Sequence, residues 1–212
     1  MNLVFAAISP HPPILCPNVG SEDDRKKLKD TLAALKSLEK KFKSVKPDLI
    51  IISSPHADWG FNVPLYFLAR DFKGEIVYYL TNSEEPAFYF REGKRIYQET
   101  GNTQRVTNKK IAFIASGDMS HYLTEEGPYG FHEDGPNFDK ALIDYLKKKD
   151  IENFLKLEQR FPGAGQCGLR SFSFLLGALE AYSESSGKVW EPEVLSYQGP
   201  FGVGYLVANF KL

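Results

Sequence analysis

The chain has 212 residues, 42% of them hydrophobic and 25% charged, which suits a folded globular domain and excludes fibrous or disordered structure. With 26 Lys and Arg against 27 Asp and Glu, there is no broad basic footprint for nucleic acid or an anionic membrane. Cys16 and Cys167 are too few for a disulfide framework, and the N-terminus has neither a basic signal region nor an apolar run near the ~20 residues of a membrane span, so a cytoplasmic location is expected.

Residues 3–8 form an apolar run without helical spacing, which predicts a buried strand, and Pro10, Pro12, Pro13 and Pro17 then put His11 on a loop. Ser21 with Asp23 and Asp24 has the form of an N-cap and acidic first turn, and Leu28, Leu32, Leu35, Leu38 and Phe42 supply the apolar stripe of the helix that follows. Pro47 ends it. Residues 49–52 are β-branched enough for a central strand, and His56 stands on the next loop. Residues 62–68 and 75–80 read as two further strands, and 91–100 as a helix inside a polar stretch. Residues 111–115 give another buried strand, after which Gly117 permits a tight turn carrying Asp118 and His121.

The loop 127–136, with Tyr129, His132, Glu133 and Asp134, is long enough for a lid or a wall. Helices are expected over 137–148, 151–158 and 166–182, the last with Cys167 at its N-terminus, where a thiol is acidified. Residues 193–197 and 204–210 read as strands that return the chain to the sheet. The predicted architecture is α/β: a single-domain sandwich over residues 1–212, with a mixed central sheet flanked by helices and a metal site at the C-terminal ends of the strands.

Three of the four histidines, His11, His56 and His121, follow strands, so their imidazoles can meet in one crevice. Both Ser9-Pro10-His11 and Ser54-Pro55-His56 place proline before the ligand, which limits its backbone freedom. A third ligand is open between a carboxylate (Asp58, Asp118, Glu133 or Asp134) and the Cys167 thiolate. His121, beside Asp118, suits acid–base work. Trp59, Phe61, Tyr122, Tyr129 and Phe131 are aromatics that could stack on a planar ring. No Gly-x-Ser-x-Gly elbow or phosphate-binding loop appears.

The blocks Ala7-Ile8-Ser9-Pro10-His11-Pro12-Pro13, Ile52-Ser53-Ser54-Pro55-His56, Ser116-Gly117-Asp118-Met119-Ser120-His121, Gln166-Cys167-Gly168-Leu169-Arg170 and Gln198-Gly199-Pro200-Phe201-Gly202-Val203-Gly204-Tyr205 resemble class III extradiol ring-cleavage dioxygenases of the LigB-like superfamily. Within it, the chain is most similar to the AmmeMemoRadiSam branch and to Memo proteins. The resemblance implies a non-haem Fe(II) enzyme that opens a catechol-like aromatic diol with dioxygen. His11 and His56 match the family's metal ligands, and His121 matches its acid–base histidine; Asp118, beside it in the turn, is the other expected catalytic residue. Catalytic members carry glutamate where this chain has Gln166-Cys167, and Memo-like members carry cysteine. Cys167 is therefore the expected third ligand, with Zn or Cu as alternatives to Fe(II), and a Memo-like metal-binding or interaction protein without ring cleavage as the alternative function. The expected partners are a small aromatic substrate and dioxygen, with no nucleic acid or membrane. A homodimer fits the base rate for soluble proteins.

Overall fold

The computed structural model of the chain describes residues 2–102 and 109–212. Strands β1 (Asn2–Ser9), β2 (Leu49–Ser54), β3 (Glu75–Leu80), β4 (Lys110–Ser116), β5 (Glu191–Gln198) and β6 (Tyr205–Lys211) form one sheet in the order β3-β2-β4-β1-β6-β5. The first four in that order run parallel, while β6 runs antiparallel to both of its neighbours, β1 and β5, so the sheet is mixed as expected. Around it lie α1 (Glu22–Lys27), α2 (Lys29–Val45), α3 (Asp58–Leu68), α4 (Pro86–Asn102), α5 (Asp134–Lys148), α6 (Ile151–Leu155), α7 (Leu157–Arg160) and α8 (Leu169–Ser186).

Both faces of the central strands are covered, which is why they read as unbroken apolar runs. Leu49 and Ile51 of β2 join the core formed with α4, α5 and α8, whereas Ile50 and Ile52 join the core formed with α2 and α3. In β1 a register irregularity between Leu3 and Phe5 puts Leu3 and Ala6 on one face despite their odd spacing. Ser21 and Asp24 form a complete capping box at α1, and the Leu28, Leu35, Leu38 and Phe42 stripe is buried against the sheet. Among the described residues, no helix is long and apolar enough to cross a membrane.

Several expectations change. Residues 62–68 are not a strand but the C-terminal two-thirds of α3: a helix buried against sheet and neighbouring helix is apolar on most sides, so its sequence carries no helical period. The helix expected at 91–100 spans Pro86–Asn102, and that expected at 151–158 is interrupted at Lys156, between α6 and α7. The last helix starts at Leu169 rather than at 166 and runs to Ser186, closed by Gly187 in the left-handed region.

Candidate metal centre

Because β2, β4 and β1 are neighbours and parallel, the loops that leave their C-terminal ends emerge side by side. These loops carry His56, Asp118 with His121, and His11. The rings of His11 and His56 are 5.2 Å apart between centroids. Cys167 arrives from the opposite direction, on the segment before α8. Gly117 and Gly168 cross so closely that a Cβ on either would collide with the other strand of chain or with Phe172. That approach lets Gly168 donate its N–H to the Asp118 carbonyl (2.8 Å) and Asp118 donate its own to Cys167 Sγ (3.3 Å). The ligand atoms of His11, His56 and Cys167 lie within 4.8 Å of one another, as do those of Asp118, His121 and Cys167.

The orientation of His11 can be traced back to a proline. Pro64 lies inside α3 and has no N–H to give the carbonyl of Gly60, four residues earlier. That carbonyl instead accepts the Ser116 hydroxyl proton. Since a carbonyl only accepts, the Ser116 oxygen is left to accept from His11 Nδ1–H at 3.0 Å. His11 therefore presents the bare Nε2, 3.5 Å from Cys167 Sγ. Asp118 holds the same residue from the other side: its carboxylate accepts the His11 backbone N–H at 3.1 Å and lies 3.8 Å from Nε2. The Ser-Pro-His repeats are not equivalent, because Ser54 closes the loop onto His56 while Ser9 turns to the Pro10 carbonyl.

Burial, with the nearby His56 and His121, drives the His11 pKa down to about 3, so its imidazole is neutral. Burial also lowers His56, and burial with the charge of His56 lowers His121. Asp118 is pushed up to about 7 by burial, which outweighs its bond from His11. The thiol of Cys167 is raised, not lowered: α8 begins two residues later, so the sulfur is not at the helix N-terminus, and burial near Asp118 disfavours the thiolate. Neutral nitrogens and a sulfur that ionises only beside a positive charge fit a bound cation. His121 Nε2 also fits one, being buried without a hydrogen-bond partner.

Above the cluster is a cleft of about 530 Å³. Tyr129 stacks on His121 with centroids 5.1 Å apart, and Trp59 lies over His56 at 5.0 Å. Of the loop expected at 127–136, Pro128 and Tyr129 form a wall of the cleft, while residues 134–136 are already the first turn of α5. Of the carboxylates considered as third ligand, only Asp118 belongs to a cluster. Asp58 and Glu133 are exposed, and Asp134 accepts from Gly163 N–H. Gln166 is turned away to cap α8, accepting the Leu169 N–H. His132 packs on Gly163 outside the cleft, and Cys16 packs beside the α2 core.

Besides Ser116, two residues at the site are given no role by the sequence alone. Tyr205 is buried on β6 and lines the cleft near Asp118 and Tyr129. Asp139, on α5, accepts Ser120 N–H (2.8 Å) and the Tyr197 hydroxyl (2.6 Å), fixing the loop that carries His121. Only its place on an otherwise apolar helix stripe could have signalled it.

Residues 56–208 match the family described as the catalytic LigB subunit of aromatic ring-opening dioxygenase. The chain belongs to the LigB family. Protein CA_C1420 of Clostridium acetobutylicum is 29% identical across 100% of this chain, and the chain spans 58% of that relative's length. The crystal structure of the uncharacterized protein JW3007 from Escherichia coli K12 has the same fold, with a TM-score of 0.62 at 14% identity, covering 97% of this chain and 99% of that one. The LigB match takes in His56, His121 and Cys167, while His11 precedes it and joins them through the β1–β4 pairing.

Proposed function

We propose that residues 1–212 act as one metal-dependent catalytic domain that opens a catechol-like aromatic diol with dioxygen. The observation that carries this reading is the convergence of Cys167 with His11 and His56, two histidines that line an aromatic-walled cleft, in a LigB chain. These three residues would hold the metal, Fe(II) being our assignment, and the bound ion would supply a common seat for diol and dioxygen. His121, neutral and with a free Nε2, would take a proton from a diol hydroxyl and return it later. Trp59 and Tyr129 would orient the ring, and Asp118 would keep His11 in place. Anaerobic loading with Fe(II), followed by oxygen and a panel of catechols, should give oxygen uptake and yellow ring-opened products.

A second reading is favoured by the sulfur itself. Thiolate in place of carboxylate suits Zn and Cu(I) as well as iron, as expected for a Memo-like protein that keeps the metal cleft and has lost ring cleavage. Metal retained without oxygen uptake across the panel would support that reading over the first.

A further inference from the structure

The groups that line the cleft separate by chemistry. His11, His56, Asp118, His121 and Tyr205 line it with polar groups, Trp59 and Tyr129 add aromatic faces with one N–H and one hydroxyl, and three prolines and Val203 complete the lining. Among the described residues, no Lys or Arg lines it. Arg25 and Arg170, the arginines nearest in sequence to His11 and Cys167, are occupied elsewhere. Arg25 donates to the carbonyls of Leu15, Cys16 and Val19, and Arg170 pairs with Glu158 and donates to the Glu84 carbonyl. The acid in the cleft, Asp118, gives an anionic ring nothing to bind.

We propose that the cleft selects an uncharged ring: a diol whose other ring positions carry hydrogen or apolar groups and no carboxylate, sulfonate or phosphate. The proposal rests on the aromatic-diol reading above and narrows its substrate class. Away from the histidines the lining offers a ring Pro12, Pro13, Pro128 and Val203, with the aromatic faces of Trp59 and Tyr129. A methyl or hydrogen there replaces water with apolar contact. A carboxylate attached directly to the ring would be stripped of water with no lysine or arginine among the described lining residues to pair with it. Trp59 and Tyr129 are themselves solvent-exposed, so the selection acts on charge held at the ring and not on a long tail that reaches the mouth.

The test is calorimetric titration of the Fe(II)-loaded protein under anaerobic conditions with 4-methylcatechol and, separately, 3,4-dihydroxybenzoate, two probes of similar shape and different charge. The expected result is tighter binding of 4-methylcatechol by about tenfold or more. Equal binding, preference for the benzoate or no binding of either overturns the proposal. Oxygen uptake is recorded separately. Selective binding of 4-methylcatechol without uptake sinks the dioxygenase reading alone, whereas uptake with the benzoate preferred sinks the selectivity alone. Trp59→Arg, which puts a guanidinium at the mouth, should shift the ratio about tenfold towards the benzoate while Trp59→Phe preserves it. An unchanged ratio in Trp59→Arg would contradict selection by charge.

Discussion

The sulfur of Cys167 lies 3.5 Å from Nε2 of His11, although 156 positions separate the two residues in the chain. The same sulfur belongs to both candidate ligand groups, one with His11 and His56 and the other with Asp118 and His121. It is thus the atom on which the chemistry of the cleft turns. Burial keeps the thiol protonated in the absence of a cation, so binding a metal there must release its proton.

The line from Pro64 through Gly60 and Ser116 to His11 makes a prediction about metal affinity rather than stability. Ser116→Ala leaves the His11 Nδ1–H and the Gly60 carbonyl without partners, and metal affinity should fall about 10- to 100-fold. Pro64→Ala returns an N–H to the Gly60 carbonyl, so it should weaken affinity by a smaller factor without lowering the melting temperature. Metal titration alongside thermal melts checks both. Unchanged affinity in Ser116→Ala would remove the relay from the account.

His121 should behave as a proton carrier and not as an obligatory ligand. Replacement by Gln is expected to cut oxygen uptake by about 10²- to 10⁴-fold while leaving metal content in place. Because burial, followed by the charge of His56, holds its pKa below 6.5, His121 is neutral and able to accept a proton at neutral pH. Activity should therefore fall on the acid side of 6.5, and that limb should be absent from the residual activity of His121→Gln. Loss of the metal in the variant would reassign the residue to the ligand set.

Asp139 ties stability to pH. Burial raises its carboxyl from 3.8 to about 7, so between those values the folded chain binds a proton that the unfolded chain releases. Its contribution is full below the unfolded pKa and is lost as pH rises towards 7. Denaturant melts should show the wild type losing ~2–4 kcal/mol relative to Asp139→Asn across that window. Asp118 is shifted in the same direction in both proteins and so drops out of the difference. A pH-independent difference would mean that Asp139 is ionised in the folded chain at low pH.

Much of the frame could be read from residue order. The apolar runs leading to His11, His56 and Asp118 end at proline or glycine, and these are the ends of β1, β2 and β4 in the fold. Residues 62–68 read as a strand because burial on several sides erases the periodicity that marks an amphipathic helix. The sequence pattern starts α8 three residues early and so predicts an acidified Cys167 thiol, whereas the desolvation that raises it depends on segments distant in sequence. Ser116 and Asp139 were invisible for the same reason. Their partners, His11 and Gly60 for one and Ser120 and Tyr197 for the other, meet only after the sheet has formed.

Metal analysis of the wild type beside Cys167→Ala, His11→Ala and His56→Ala, each loaded anaerobically and dialysed, tests the centre most directly. The account predicts a metal that survives dialysis in the wild type and is lost in all three variants, with folding confirmed by circular dichroism. Metal content in Cys167→Ala equal to that of the wild type would contradict it, because the sulfur would then stand beside the site without holding it.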